Sequence, residues 1–201
     1  MIKKSVFAVA IAAALSLAAL PSVAWAGPPT DVVKAKQTEL FKLIEANKDG
    51  SSSKKISAIF DEMLDYDSLA KASLGDQWST LKEAEQKEFT GLLKQLIAKA
   101  YERNLKKTLG YNIEYLSEEV ASDTVTIVKT KAVSKSDARE EPIAINFRMA
   151  KRDGQWRIED IETEGVSLVT SYRSQFTKIL KKDGFPTLIR KMKDKIAKGD
   201  V

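Results

Sequence analysis

Ser167 follows Gly165-Val166 where the hydrophobic rhythm changes from alternation (Trp156, Ile158) to helical spacing (Val169, Tyr172, Phe176). A serine on a tight strand-to-helix turn is the setting of a nucleophile elbow. The chain of 201 residues, however, contains no histidine and no cysteine. Ser-His-Asp and Cys-His systems are therefore excluded, together with the usual zinc ligand sets. Val169 also leaves the G-x-S-x-G pattern incomplete. A Ser-Lys pair, Ser167 with Lys178 or Lys181, is the hydrolase reading that remains. The simpler reading is that Gly165 permits the turn and Ser167 caps the helix that follows.

The acidic cluster Glu159, Asp160, Glu162 and Glu164 is the second candidate. Two carboxylates could serve glycoside hydrolysis, and several could hold calcium. On a strand, Asp160, Glu162 and Glu164 share one face, which reads more simply as a solvated sheet surface. Lys129, Lys131 and Arg148 are its expected cross-strand partners. No catalytic or metal-binding residue is assigned, and the protein is not read as an enzyme.

These residues must be placed by two kinds of element. From Thr30 to Ala46, Val33, Leu40, Phe41 and Ile44 recur at helical spacing, and Lys48 to Ser53 breaks the pattern. Ile56, Ile59, Phe60, Met63 and Leu64 mark a second helix, and Tyr66 to Leu74 a third, closed by Gly75. Thr80-x-x-Glu83 resembles a capping box opening a long helix to about Leu109. After Gly110 the period falls to 2. Tyr111, Ile113 and Tyr115, then Val125 and Ile127, then Ile143, Ile145, Phe147 and Met149, then Trp156 and Ile158 predict four strands in an antiparallel sheet. Arg152-Asp153-Gly154-Gln155 is a hairpin turn. Two more helical stripes follow, separated by Lys181-Lys182-Asp183-Gly184. The fold class is α+β: a helical half over 29–110, a sheet over 111–163 and C-terminal helices over 166–198.

At the N-terminus, Lys3 and Lys4 precede an uncharged apolar run from Val6 to Leu20, and Ala24-Trp25-Ala26 offers an A-x-A site. A signal peptide over 1–26, cleaved after Ala26, is expected, leaving one exported domain over 27–201. The apolar run is shorter than the roughly 20 residues of a spanning helix. Lys3 and Lys4 account for two of the formal charges in +5, so the exported chain is only mildly basic and nucleic acid is not an expected partner. The lysine-rich tail, Lys191, Lys193, Lys195 and Lys198, offers weak attraction to anionic head groups, or is a solvated helix face.

Tyr101, Tyr115, Trp156, Tyr172 and Phe176 are aromatic mass for a core, or for a wedge between sheet and helices that could hold a ligand. The C-terminal block narrows that choice. Gly154-x-Trp156-Arg157-Ile158-x-Asp160-Ile161, Glu164-Gly165-Val166-Ser167-Leu168-Val169, Tyr172-Arg173-x-Gln175-Phe176 and Gly184-x-x-x-Leu188-Ile189 together resemble the MlaC family. Leu74-Gly75-x-x-Trp78-x-x-Leu81, Phe89 and Tyr101 extend the resemblance over about residues 29 to 198. Lys71-Ala72-Ser73 and Ser171 depart from residues that relatives often carry.

The resemblance implies a sheet wrapped by amphipathic helices, partly like the nuclear-transport-factor and cystatin folds, with a deep apolar pocket. It implies a periplasmic carrier that takes glycerophospholipid between an outer-membrane lipoprotein complex and an inner-membrane ABC transporter complex; a carrier working between two membranes gains little from permanent assembly, so a monomer is expected. Phospholipid is then cargo, and no cofactor is expected. Inward faces of strands and helices are expected to line the pocket: Tyr101, Leu105, Tyr115, Val125, Ile127, Ile145, Phe147, Val166, Val169, Tyr172 and Phe176. A protein-binding assembly module using the same apolar groove is the non-enzymatic alternative.

Overall fold

The computed structural model describes residues 28–46 and 53–199. The expected signal peptide and most of the break between Lys48 and Ser53 lie outside the described residues.

Helix α1 (Pro29–Ala46) and helix α2 (Ser53–Met63) bury the stripes that their spacing predicts, including Val33, Leu40 and Ile44 on the first and Ile56, Ile59 and Phe60 on the second. Leu64 forms a parallel bridge to Ile158, and the Asp65 amide donates to the Ile158 carbonyl at 2.9 Å. Asp65 then caps α3 (Tyr66–Leu74) by accepting from the Ser68 amide at 2.9 Å. One short segment thus ties the helical half to the sheet before α3 begins.

Gly75 ends α3 at φ 56° and ψ −132°, a conformation that favours glycine. The chain turns there into a 3₁₀ segment (Gly75–Thr80), and the Arg173 guanidinium passes over the glycine to donate to the Ala72 carbonyl at 2.7 Å. The long helix α4 (Glu83–Thr108) starts two residues later than the Thr80-x-x-Glu83 reading. The Thr80 hydroxyl turns back to the Gln77 carbonyl at 2.7 Å, and Glu85 instead accepts from the Lys82 amide at 2.8 Å. Glu83 pairs with Lys87 one turn on.

Strands β1 (Tyr111–Ser122), β2 (Val125–Ser134), β3 (Ile143–Arg152) and β4 (Gln155–Thr163) form an antiparallel meander. Asp153 and Gly154, with φ 49° and 79°, make the tight turn between β3 and β4. Glu164 and Gly165 make a second such turn at φ 51° and 75°. That turn returns the chain as a fifth strand, β5 (Val166–Ser167), a two-residue element that the periodicity of a four-stranded reading does not register. Edge strand β1 is irregular near Leu116 and Ala121, which blunts its unpaired side.

Helix α5 (Leu168–Lys198) has two arms, divided at Gly184 (φ 77°, ψ 173°), the position where the sequence predicts a stop. The first arm packs on the core through Val169 and Phe176, the second through Leu188, Ile189 and Met192. Phe89 of α4 meets Phe176 edge to face at 5.4 Å, and Tyr172 stacks on Phe176 at 5.3 Å.

Candidate functional site: an apolar cavity beneath the sheet

The sheet register places inward residues in rows. Ile113, Ala132 and Ile143 lie side by side, then Tyr115, Thr130, Ile145 and Thr163, then Val128, Phe147 and Ile161, then Thr126, Met149 and Ile158. Helices α1, α2 and α4 stand over this face without filling it. A cavity of ≈ 510 Å³ remains, roofed by Leu40, Phe41, Phe60, Met63 and Tyr101 and floored by Ile113, Ala132, Ile145, Phe147, Ile158 and Ile161. Its volume lies within the usual range for a bound organic ligand.

The cavity is polar at one end. Lys107, Thr108 and Tyr111 line it where α4 gives way to β1, and Thr163 where β4 ends. Lys107 and Thr163 are exposed, Tyr111 and Ile143 half-buried, while Phe60, Leu64 and Ile158 at the other end are buried. The mouth therefore opens at the sheet end where β1 and β3 start. Inner polar groups are held by the protein itself. Thr130 is 1% exposed, and its hydroxyl donates to the Ile145 carbonyl at 2.7 Å. The Tyr115 hydroxyl donates to Gln37 of α1. A wall of this kind offers a guest hydrocarbon contact and few hydrogen bonds.

Of the residues singled out in the sequence, Tyr101, Ile145 and Phe147 line this cavity. Tyr115 sits beside it, bonded to Gln37 and lying beneath the Lys34 ammonium. The Leu105 side chain lies outside the described residues. Tyr172 and Phe176 line a different cavity, between the two arms of α5. Val169 is a packed core residue, and Val166 on β5 is 62% exposed. Val125 and Ile127 are corrected more sharply. They point to the outer face with Lys129 and Lys131, whereas Thr126, Val128, Thr130 and Ala132 are the buried inner set of β2. The lysines carried the signal: a strand parity that includes Lys129 and Lys131 is the solvated one.

Leu40, Phe41, Phe60, Met63 and Leu64 are lining residues that the sequence reading leaves among the core stripes. Helical spacing marks a buried face and is silent on whether that face meets a neighbour or a gap.

The acidic cluster is accounted for by pairing. Arg148 Nε lies 2.8 Å from Glu159 and Asn146 Nδ2 2.8 Å from Glu162. Lys129 and Lys131 pair with Glu119 and Glu114 of β1, not with the acids of β4. Asp160 accepts from the Ser167 hydroxyl at 2.6 Å, and Ser167 Oγ accepts from the Thr170 amide at 3.0 Å. Ser167 is thus a helix cap whose proton is held by a carboxylate. Lys178 lies eleven residues along the helix, roughly 16 Å away at 1.5 Å per residue, too far to act as its base.

Burial raises the Tyr101 phenol well above its ordinary range, with the Tyr172 phenol adding to the shift. Burial likewise raises Tyr66, helped by Asp61 and Tyr101, and pushes Tyr115 up to about 12. Above the unfolded value near 10, the folded chain then holds protons that the unfolded chain releases, so stability is full below that pH and falls as pH rises. Stability, and Tm with it, should fall steadily between pH 10 and 12, and Tyr101→Phe should make the decline in unfolding free energy shallower by about 1 kcal/mol per pH unit. An unchanged slope, from thermal melts across that window, would remove Tyr101 as a linked group.

The family model described as MlaC protein matches residues 34–194. The intermembrane phospholipid transport system binding protein MlaC of Haemophilus influenzae is 26% identical over 143 residues, 66% of this chain and 64% of that protein. The alignment therefore spans just under two thirds of that relative's length. A phospholipid-binding protein from Ralstonia solanacearum, solved in complex with a phospholipid, superposes with a TM-score of 0.75 at 21% identity. The superposition covers 87% of this chain and all of that one, and establishes the shared α+β fold.

Proposed function

The chain belongs to the MlaC family, and from that premise we propose that it is a phospholipid carrier that shelters acyl chains in the cavity beneath its sheet. The single observation that carries the reading is the ≈ 510 Å³ space with largely apolar walls, whose one charged lining residue among those described, Lys107, stands at the mouth with Thr108, Tyr111 and Thr163. That is the polarity profile of a glycerophospholipid, tails inward and head group at the opening.

Energetics favour a deep site over a surface groove. A diacyl lipid in water exposes roughly 30 methylenes at about 0.8 kcal/mol each, so about 24 kcal/mol of hydrocarbon has to be shielded during transit. Two chains call for the upper end of the usual 300 to about 1,000 Å³ range. At ≈ 510 Å³ the cavity must widen on loading, and half-buried lining residues such as Phe41, Ile113 and Ile143 are free to yield. The exposed Lys107 at the mouth is placed to meet a phosphate.

The carrier works after export, as a monomer in the periplasm, docking transiently on an outer-membrane lipoprotein complex and an inner-membrane ABC transporter complex. It performs no chemistry on its cargo. Native mass spectrometry of protein isolated from the periplasm tests the core of this reading. A bound mass matching a phospholipid is expected, and protein that is persistently empty, with no extractable lipid, would overturn it.

A further inference from the structure

The two arms of α5 enclose a second cavity. The break at Gly184 folds the second arm back along the first, and with Leu96 of α4 they surround a half-open space of ≈ 580 Å³. Its apolar wall is built from Leu168, Tyr172, Phe176, Ile179, Leu188 and Met192. Tyr101 lines the cavity beneath the sheet, and Tyr172, close enough to raise the Tyr101 phenol, lines this one.

The rim is charged, and largely of one sign. Lys191, Lys195 and Lys198 follow each other at helical spacing along the second arm and all line the cavity, with Asp194 the acid among them. Lys191 is held by Asp183 at 3.1 Å, and Lys193 turns away from the cavity to Glu88 of α4 at 2.7 Å. Lys195 and Lys198 form no ion pair among the described residues. Lys195 and Lys198, three residues apart, share one face of the second arm, and their repulsion is a cost that an anion between the arms would relieve. The second arm is also fixed in place, because Lys99 donates to the Ile196 carbonyl at 2.7 Å.

We propose that this cleft is a second ligand site, distinct from the cavity beneath the sheet, for a single-chain anionic amphiphile. One acyl chain lies along the apolar wall and its carboxylate or phosphate meets Lys195 and Lys198. The volume suits one chain, not two, and the lysines select the charge.

Calorimetric titration of the full exported chain, below the critical micelle concentration, uses palmitate, 1-palmitoyl lysophosphatidylglycerol and the uncharged dodecyl maltoside as probes. Native mass spectrometry follows the cargo in parallel. Either anionic probe should add as one extra mass while any phospholipid already bound is retained, and whichever binds identifies the source of the anion. Lys195→Glu with Lys198→Glu should weaken binding at least tenfold, and the arginine pair should restore it. Gln175→Trp, which fills the cleft from an exposed lining position, should abolish binding and leave the phospholipid content unchanged. The proposal is overturned if dodecyl maltoside binds as tightly as the anions, if the probe only displaces phospholipid one for one, or if neither anion binds. It is also overturned if the lysines act only in adhesion to phosphatidylglycerol vesicles. An empty main cavity with an intact amphiphile site would count against the carrier reading alone.

Discussion

Ile145→Glu should yield a folded protein that no longer copurifies with phospholipid. Ile145 occupies the middle strand in the row Tyr115, Thr130, Ile145, Thr163, and its side chain is half-buried and lines the cavity. In the empty protein a carboxylate there can reach water through the mouth, so its cost to folding is about 1 to 2 kcal/mol. Once acyl chains fill the space, the same carboxylate is sealed against hydrocarbon without a partner, at a cost of several kcal/mol. Since about 1.4 kcal/mol is a factor of ten, affinity should drop by about a hundredfold or more. Lipid phosphorus per protein, measured after extraction and beside a thermal melt, separates the two effects. Full phosphorus content in a folded variant would take Ile145 out of the lipid's path.

Ile127→Glu is the matched control. Its side chain points to the outer face, among Lys129, Arg148 and Asn146, so its lipid content should equal that of the parent. Phe147→Asp and Val169→Asp are poorer probes. Phe147 is 5% exposed and serves core and cavity together, so its truncation carries a folding loss of about 3 to 5 kcal/mol. Val169 is buried at the start of α5, and an aspartate there tests folding only.

The contrast between Ile127 and Ile145 shows which information a single sequence holds. Order and type of the elements are local properties, written in periodicity and in Gly110, Gly154, Gly165 and Gly184, and they were legible almost throughout. Which strand face turns inward is written less evenly. In β3 the inward positions Ile143, Ile145, Phe147 and Met149 are all apolar, whereas in β2 the buried inner face carries Thr126 and Thr130, and the cost of burying the Thr130 hydroxyl is offset by its bond to the Ile145 carbonyl. The apolar pair Val125 and Ile127 therefore looked like the inner face and is the outer one. β5 was hidden because two residues have no period. The cavity itself is a gap between elements, and a gap leaves no mark on either helix: Phe60 lines it while Ile59 next to it is core, and both belong to one stripe. The aromatic residues left core and wedge as alternatives, the resemblance favoured the cavity, and only the register shows which rows enclose it.

Asp160→Ala should be the most damaging single change outside the hydrophobic core. The Asp160 carboxylate accepts from the Ser167 hydroxyl at 2.6 Å, the Ile161 amide at 2.9 Å and the Val169 amide at 3.1 Å. It thereby joins the end of the sheet to the first turn of α5, where a negative charge also meets the positive end of the helix dipole. Hydrogen bonds to a charged group contribute about 1.5 to 3 kcal/mol, and the alanine leaves two amides and a hydroxyl to find water. A loss of about 3 kcal/mol is expected, which for a domain of this size lowers Tm by about 6 to 12 °C. Ser167→Ala removes only the cap on the Thr170 amide and its link to Asp160, a loss of about 1 kcal/mol. Because both residues act through one bond, the double variant should lose less than the sum of the two. Strict additivity in thermal or urea melts would show that the two side chains act separately. A shortfall would establish that the serine at the strand-to-helix turn orients the carboxylate that holds α5, and with it Tyr172 and Phe176, against the rest of the fold.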